Sequence, residues 1–294
     1  MNLASQDNSK NRRLVSRKLG LIAFLFIFGV ECAKNQTLVA AGATAGRVRR
    51  QTAVLSLGAV VFNSNRTGND EIYVVNADGS GPRQLRAAGA DGWKIQGHAE
   101  WSPNGKHLAM FGGKDWKSSH VYVTDSEGRN PRRLTSRKNA HYVDPSRSPD
   151  GRTIVFTGCP ARRCGPKDLE VFTLHVSGSQ PEKQLTSDSI PDYDPYYSPD
   201  GKLIGWTSRV ADTGEHGVWN IRLANADGSG VRFVTNDGNV NGYPAWSRDG
   251  KLIYFHRMVY GENPNFGIYV IRPDGQEMKV IAAAEEGNDE YRAT

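Results

Sequence analysis

Residues 194–206 read Asp194-Pro195-Tyr196-Tyr197-Ser198-Pro199-Asp200-Gly201-Lys202-Leu203-Ile204-Gly205-Trp206. An aromatic run meets a Ser-Pro-Asp-Gly turn, and an apolar run follows at once. Pro199 presets φ at the first central position of a tight turn, and Asp200-Gly201 tolerates positive φ. Two strands joined in this way form a β-hairpin. The pattern returns in Glu100-Trp101-Ser102-Pro103-Asn104-Gly105, in Ser148-Pro149-Asp150-Gly151 and in Trp246-Ser247-Arg248-Asp249-Gly250, each time with an apolar strand after it.

The spacing is regular. The hairpin glycines 105, 151, 201 and 250 lie 46, 50 and 49 residues apart. A second marker is a strand that ends in Asp-Gly or a relative of it, with glycines at 79, 128, 178, 228 and 275, spaced 49, 50, 50 and 47. Asn-Ala-Asp-Gly-Ser-Gly occurs identically at 76–81 and 225–230. Each unit divides into four short strands: one before the hairpin turn, one after it, a third carrying an Ile-Tyr-like pair, and a fourth ending at Leu134-Thr135, Leu185-Thr186 or Val234-Thr235. Four strands in about fifty residues, repeated in tandem, predict an all-β fold, a β-propeller of four-stranded blades. No long amphipathic helix pattern is present, which disfavours a parallel βαβ sheet.

Five units carry the second marker, but only four carry the strand before the hairpin. The first unit, from Val54, lacks it. The tail Gly287-Asn288-Asp289-Glu290-Tyr291-Arg292-Ala293-Thr294 resembles the approach to that strand. It is expected to complete the first blade and close the ring, which removes exposed strand edges. Five blades is the simplest total; six would need strands from residues 34–58.

Of the 294 residues, 1–50 hold nine Lys or Arg and two acids, so the formal charge of +6 comes from that segment. The remainder has 28 basic and 29 acidic residues, which leaves no electrostatic footprint for nucleic acid. Residues 1–33 read as a signal peptide: a basic leader (Lys10, Arg12, Arg13, Arg17, Lys18) and an uncharged run, Leu19 to Val30, too short to span a bilayer comfortably. Residues 34–53 read as a flexible linker and 54–294 as the propeller. A membrane contact would come only through the signal segment or a lipid on Cys32, which Glu31 disfavours. Cys159 and Cys164 flank a short loop, and an exported chain would join them in a disulfide. The expected location is periplasmic or secreted.

These residues resemble the TolB-like, WD-related β-propeller repeat family. The resemblance rests on Pro244-Ala245-Trp246-Ser247-Arg248-Asp249-Gly250-Lys251, on Tyr196 to Lys202, on the arginine loops Ser64-Asn65-Arg66 and Ser208-Arg209, and on Ile72-Tyr73-Val74-Val75-Asn76-Ala77-Asp78-Gly79-Ser80. It covers about residues 54–294. It implies a propeller, and because no stretch before the first repeat suits the small α/β domain of TolB itself, it implies a bare one and does not support a role in the Tol system. The family also includes oligopeptidase lids and polysaccharide lyases, so fold does not fix activity.

Trp101, Tyr197, Trp206 and Trp246 are expected at equivalent sites beside the turns, packed between neighbouring blades. The residue four before each hairpin serine is His98, Asp144, Asp194 or Tyr243, and the tail adds Glu290. Equivalent positions converge on the central channel of a propeller. Two places further on lie Glu100, Ser146, Tyr196 and Ala245, on the same face if the strands alternate. The binding candidates are therefore His98, Glu100, Asp144, Asp194, Tyr196, Tyr243 and Glu290. His98, Asp144 and Asp194 offer oxygen and imidazole ligands that suit calcium or manganese. Asp192-Tyr193-Asp194 with Asp200 does not have the ligand order of an EF-hand. No Gly-x-Ser-x-Gly, His-Glu-x-x-His or phosphate-binding loop occurs, so no catalytic set is assigned. The expected function is an exported, non-enzymatic scaffold for an envelope protein or glycan. The alternative is a polysaccharide lyase or hydrolase with a metal or carboxylate pair in the channel.

Overall fold

The structure is a computed structural model, and it describes residues 58–85, 93–115, 117–137, 140–159, 167–213, 216–260 and 265–283. Residues 1–33, expected to be a signal peptide, and 34–53, expected to be a linker, lie outside them with Cys32, Cys164, Glu290 and the tail 284–294. The described residues form β-strands joined by turns, with no helix among them.

The first unit has β1 (Ala59–Ser64), β2 (Glu71–Asn76) and β3 (Arg83–Leu85). The second has β4 (Ile95–Trp101), β5 (His107–Gly113), β6 (Ser119–Asp125) and β7 (Arg132–Arg133). The third has β8 (His141–Arg147), β9 (Thr153–Cys159), β10 (Glu170–His175) and β11 (Lys183–Gln184). The fourth has β12 (Asp192–Tyr197), β13 (Leu203–Ala211), β14 (Val218–Asn225) and β15 (Arg232–Phe233). The fifth has β16 (Val240–Trp246), β17 (Ile253–Val259), β18 (Asn265–Ile271) and β19 (Lys279–Ala283). Within each unit successive strands pair antiparallel. A single parallel bridge, Trp219 to Val240, links β14 to β16.

Each hairpin is fastened by its serine. Ser198 Oγ donates to Asp200 Oδ1 at 2.7 Å and accepts from Leu203 N at 2.9 Å, while Gly201 N bonds Ser198 O at 2.8 Å. Ser102, Ser148 and Ser247 make the same bonds to Asn104, Asp150 and Asp249. The last of these turns has Arg248 where the others have proline, and its bonds are unchanged. The serine and the carboxyl or amide two places on therefore define the turn, and the proline is an accessory. Gly201 sits at φ 71, a conformation cheap only for glycine.

The outer strands are short because a threonine replaces the ladder. Thr186 Oγ1 accepts from Val171 N at 2.9 Å, and Thr235 Oγ1 accepts from Ile221 N at 2.9 Å. The preceding Leu134, Leu185 and Val234 turn into the core.

The core lies between units. Ile72, Val74 and Leu85 pack on Leu108 and Met110; Val121 and Leu134 pack with Tyr142, Phe156 and Phe172. Val155 and Val171 pack on Ile204 and Trp206; Ile221 and Leu223 pack on Ile253 and Phe255. A sheet that cannot cover its own face is stabilised by its neighbour, at about 25 cal/mol per Å² of apolar surface removed from water. Trp101, Tyr197 and Trp246 line these seams beside the turns. Trp206 does not share their position. It lies in β13 opposite Arg222, where β9 has Phe156, and it is only 1% exposed.

The fifth unit differs on its far face. Ile72, Val121, Val171 and Ile221 are all 0% exposed, whereas their counterpart Ile268 is 41% exposed. Val280 and Ile281 on β19 are 53% and 58% exposed.

Candidate functional site

The strands before the hairpins do not alternate strictly. The register slips between Gly97 and Glu100, Val143 and Ser146, Tyr193 and Tyr196, and Gly242 and Ala245. Each slip is a β-bulge with one residue in the left-handed region: His98 at φ 46, Asp144 at φ 51, Asp194 at φ 50 and Tyr243 at φ 56. These are the residues four before the hairpin serines. In three of the four a proline follows, Pro145, Pro195 or Pro244. Proline has no N–H to give to a ladder and is tolerated in a sheet at a bulge. Strict alternation, the expectation from sequence, is thus replaced by a repeated backbone kink.

The kinks bring three side chains from three units to one point. His98 Nδ1 lies 3.1 Å from Asp144 Oδ1 and 3.9 Å from Asp194 Oδ1. One ligand atom from each of the three lies within 4.8 Å of the others. The Asp194 backbone N–H also donates to the Asp144 carboxyl. The side chains of His98, Asp144 and Asp194 are 20%, 13% and 12% exposed. Burial raises the Asp144 carboxyl to about 7. Burial, then repulsion from Asp144, raises Asp194 to about 7 as well, against a smaller pull from His98. Burial lowers His98, and Asp194 partly restores it.

Tyr196 faces the same charges. Burial raises its hydroxyl well above the usual range, and Asp194, Glu100, Asp144 and Tyr243 add to the effect. Tyr243 is raised by burial and by both aspartates. Glu100 accepts a 2.7 Å hydrogen bond from Arg147 N in the next unit. The structure therefore gathers His98, Glu100, Asp144, Asp194, Tyr196 and Tyr243 around one locus, and Glu290 falls outside the described residues. Sequence reasoning missed Tyr193, which burial and the aspartates Asp144, Asp192 and Asp194 help push to about 12. It also missed His256, on the strand after the hairpin, whose ring lies 5.8 Å from that of Tyr243. Cys159 is disulfide-bonded.

Chemically, two buried carboxyls beside one imidazole form a site for a proton or a cation. One oxygen of each carboxyl lies within 4.8 Å of the other, near enough for both to bind a single ion. An imidazole nitrogen with two carboxylate oxygens suits a hard or borderline divalent ion.

Tandem antiparallel sheets, cores lying between units and side chains delivered inward from equivalent positions define the β-propeller class. Within it the chain is TolB-like, as its relatives show. No family model matches the chain. An uncharacterised protein of Agrobacterium fabrum is 29% identical over 190 residues, 62% of this chain and 60% of its own length. The Tol-Pal system protein TolB of Francisella tularensis is 26% identical over 233 residues, 78% of this chain and 49% of its own. The chain thus spans between about half and 60% of the length of these curated relatives. Among solved structures, a putative TolB from Agrobacterium tumefaciens superposes with a TM-score of 0.59 at 21% identity, over 73% of this chain and 75% of that one. An oligogalacturonate lyase in complex with manganese superposes at 0.56 and 15% identity, over 77% of this chain and 62% of that one. At these identities the structural likeness speaks for the fold alone.

Proposed function

We propose that the chain is an exported, non-enzymatic propeller that binds an envelope protein or glycan, with the cluster of His98, Asp144 and Asp194 as the centre of its binding face. The observation that carries this reading is the delivery of three ligating side chains from three successive units to one point. Glu100, Tyr196 and Tyr243 frame that point and would contact the partner. A calcium or manganese ion held by His98, Asp144 and Asp194 would relieve the carboxylate repulsion and set the charge the partner meets. Relatives named as Tol-Pal system proteins support a protein partner. A disulfide-bonded Cys159 supports an oxidising compartment, with residues 1–33 as the signal, 34–53 as the linker and Cys164 as the bonding partner. The ring would have five blades, with residues 288–294 completing the first; the exposed Ile268, Val280 and Ile281 support a covering element there.

The test is capture from envelope extract, and on a glycan array, by the wild type and by Asp144→Asn with Asp194→Asn. A partner retained by wild type and lost by the variant is expected. Equal capture by both, or none by either, refutes the assignment of the binding face. A second reading is a polysaccharide lyase or hydrolase with the metal at this cluster, favoured by the imidazole beside two carboxylates. Turnover of a polymeric uronate by wild type, lost in Asp194→Ala together with bound metal, would favour it over the scaffold.

A further inference from the structure

A second group of carboxylates lies at the seam between the third and fourth units. Glu170 opens β10, Asp188 follows β11, and Asp192 opens β12. One oxygen from each lies within 4.8 Å of the others. Asp192 is 0% exposed and Glu170 is 9% exposed. Asp192 Oδ1 accepts from Ser208 Oγ at 2.6 Å, but Asp192 Oδ2 and Glu170 Oε2 have no hydrogen-bond partner. Arg222 is the nearby cation. Its Nη2 reaches Asp188 Oδ2 at 2.7 Å, and its Nη1 stays 3.6 Å from Asp192 Oδ1. The Thr186 hydroxyl lies beside both buried carboxyls and has one proton to give.

The next seam shows how the same positions close when no ligand is needed. There Asn220 and Asn241 replace Glu170 and Asp192, and Asp237 replaces Asp188. Asn241 Nδ2 donates to Asn220 Oδ1 at 3.2 Å and to Asp237 Oδ1 at 2.9 Å. Thr235 Oγ1 donates to Asn220 Oδ1 at 3.1 Å, and Arg257 Nη1 donates to Asp237 Oδ2 at 2.6 Å. One carboxylate faces one guanidinium, and none of these side chains leaves a buried polar atom unpartnered. At the preceding seam three carboxylates face one guanidinium, so two negative charges remain when all are ionised.

We propose that Glu170, Asp188 and Asp192 bind a calcium ion that ties the third unit to the fourth. The donor set is all oxygen, as a hard cation requires, and two oxygens on opposite sides of calcium stand about 4.6–5.2 Å apart. Asp192 Oδ2 and Glu170 Oε2 are buried and unpartnered, as are Arg222 Nε and Nη1, so the seam's own guanidinium does not close it. Asp188 keeps Oδ2 on Arg222, and its Oδ1, which accepts from Ile190 N at 3.0 Å, has a second lone pair for the ion. The charge of the ion equals the charge the seam lacks. This group is distinct from that of His98, Asp144 and Asp194, which includes a nitrogen ligand, although Asp192 and Asp194 share β12 and flank Tyr193.

The test uses the full chain carrying Asp144→Asn and Asp194→Asn, so that the other cluster is silent, titrated with calcium chloride after chelation. Calorimetry is expected to show about one calcium per chain, and saturating calcium should raise Tm by about 5 °C or more. Adding Glu170→Gln and Asp192→Asn, the neutral chemistry of the next seam, should abolish both signals. Should that variant not fold, Asp188→Asn alone, whose side chain is 40% exposed, should weaken calcium at least tenfold. No calcium binding in the parent variant overturns the proposal, as does binding that persists when Glu170 and Asp192, or Asp188, are neutralised. The channel cluster is judged separately, by restoring Asp144 and Asp194 while keeping Glu170→Gln and Asp192→Asn.

Discussion

Replacing Asp194 by Asn tests the electrostatics of the His98, Asp144 and Asp194 cluster directly. The Asp194 carboxyl sits at about 7 in the fold against 3.8 in an open chain. For a carboxyl raised on folding, the native state binds more protons between these two values, so stability falls as pH rises through that window. At 1.36 kcal/mol per unit, the full cost above pH 7 is about 4 kcal/mol. Repulsion from Asp144 is part of that cost and is shared between the two, so one Asn should recover about 2–4 kcal/mol at pH 8. Asn also suits the left-handed backbone at this position and leaves the 12% exposed site filled. For a chain of this size the gain corresponds to about 4–12 °C in Tm. It should shrink to about a quarter at pH 4.5 and vanish below pH 3.8. His98 is lowered by burial, so its protonation destabilises both proteins at acid pH and largely cancels in the difference. The assay is urea unfolding followed by tryptophan fluorescence, in chelator, at pH 4.5 and 8. An Asn variant less stable than wild type at pH 8 would mean that the carboxylate is ionised and favourably held, and the reasoning would fail.

Other perturbations act on packing and turns. Trp206→Ala removes a side chain that is 1% exposed at a seam, and should cost about 3–5 kcal/mol, read as a fall of roughly 10 °C in Tm. Gly158→Ala would set a methyl 2.2 Å from Tyr142 Cδ1, an overlap that should cost about 1–3 kcal/mol; its relief by Tyr142→Leu in the same background would locate the clash. Ser198→Ala breaks the bond to Asp200 and leaves Leu203 N without its side-chain acceptor, and should cost about 1–2 kcal/mol in urea unfolding. Removing residues 284–294 should lower Tm and promote self-association by sedimentation, because the proposed ring would lose the strand that completes its first blade; unchanged values would refute that closure.

Much of this fold was legible because the hairpin is a local object. Ser198, Asp200 and Gly201 make their bonds within six residues, so the motif and its structure coincide in sequence. The candidate cluster was legible through the repeat alone: counting back from each serine puts His98, Asp144, Asp194 and Tyr243 in register. The bulge runs against the alternation expected from sequence, although Asp144-Pro145, Asp194-Pro195 and Tyr243-Pro244 carry its signal, since a proline inside a strand needs an unpaired position. The expected equivalence of Trp206 fails because it follows its turn, whereas Trp101, Tyr197 and Trp246 each precede theirs by one residue. Glu170, Asp188 and Asp192 were not legible together, because they come from three segments of two units. Counting equivalent positions compares a residue with its counterparts, never with its neighbours across a seam.

The left-handed kink at residues 98, 144, 194 and 243 recurs whatever side chain it carries: imidazole, carboxyl, carboxyl or phenol. The backbone geometry is therefore set by the repeat, and the chemistry is a free variable laid over it. Such a scaffold behaves like a row of identical sockets that accept different plugs. One codon change at a socket would exchange a base for an acid or a hydroxyl without redesigning the frame. This offers a physical route by which a single architecture could come to serve unrelated ligands across its descendants.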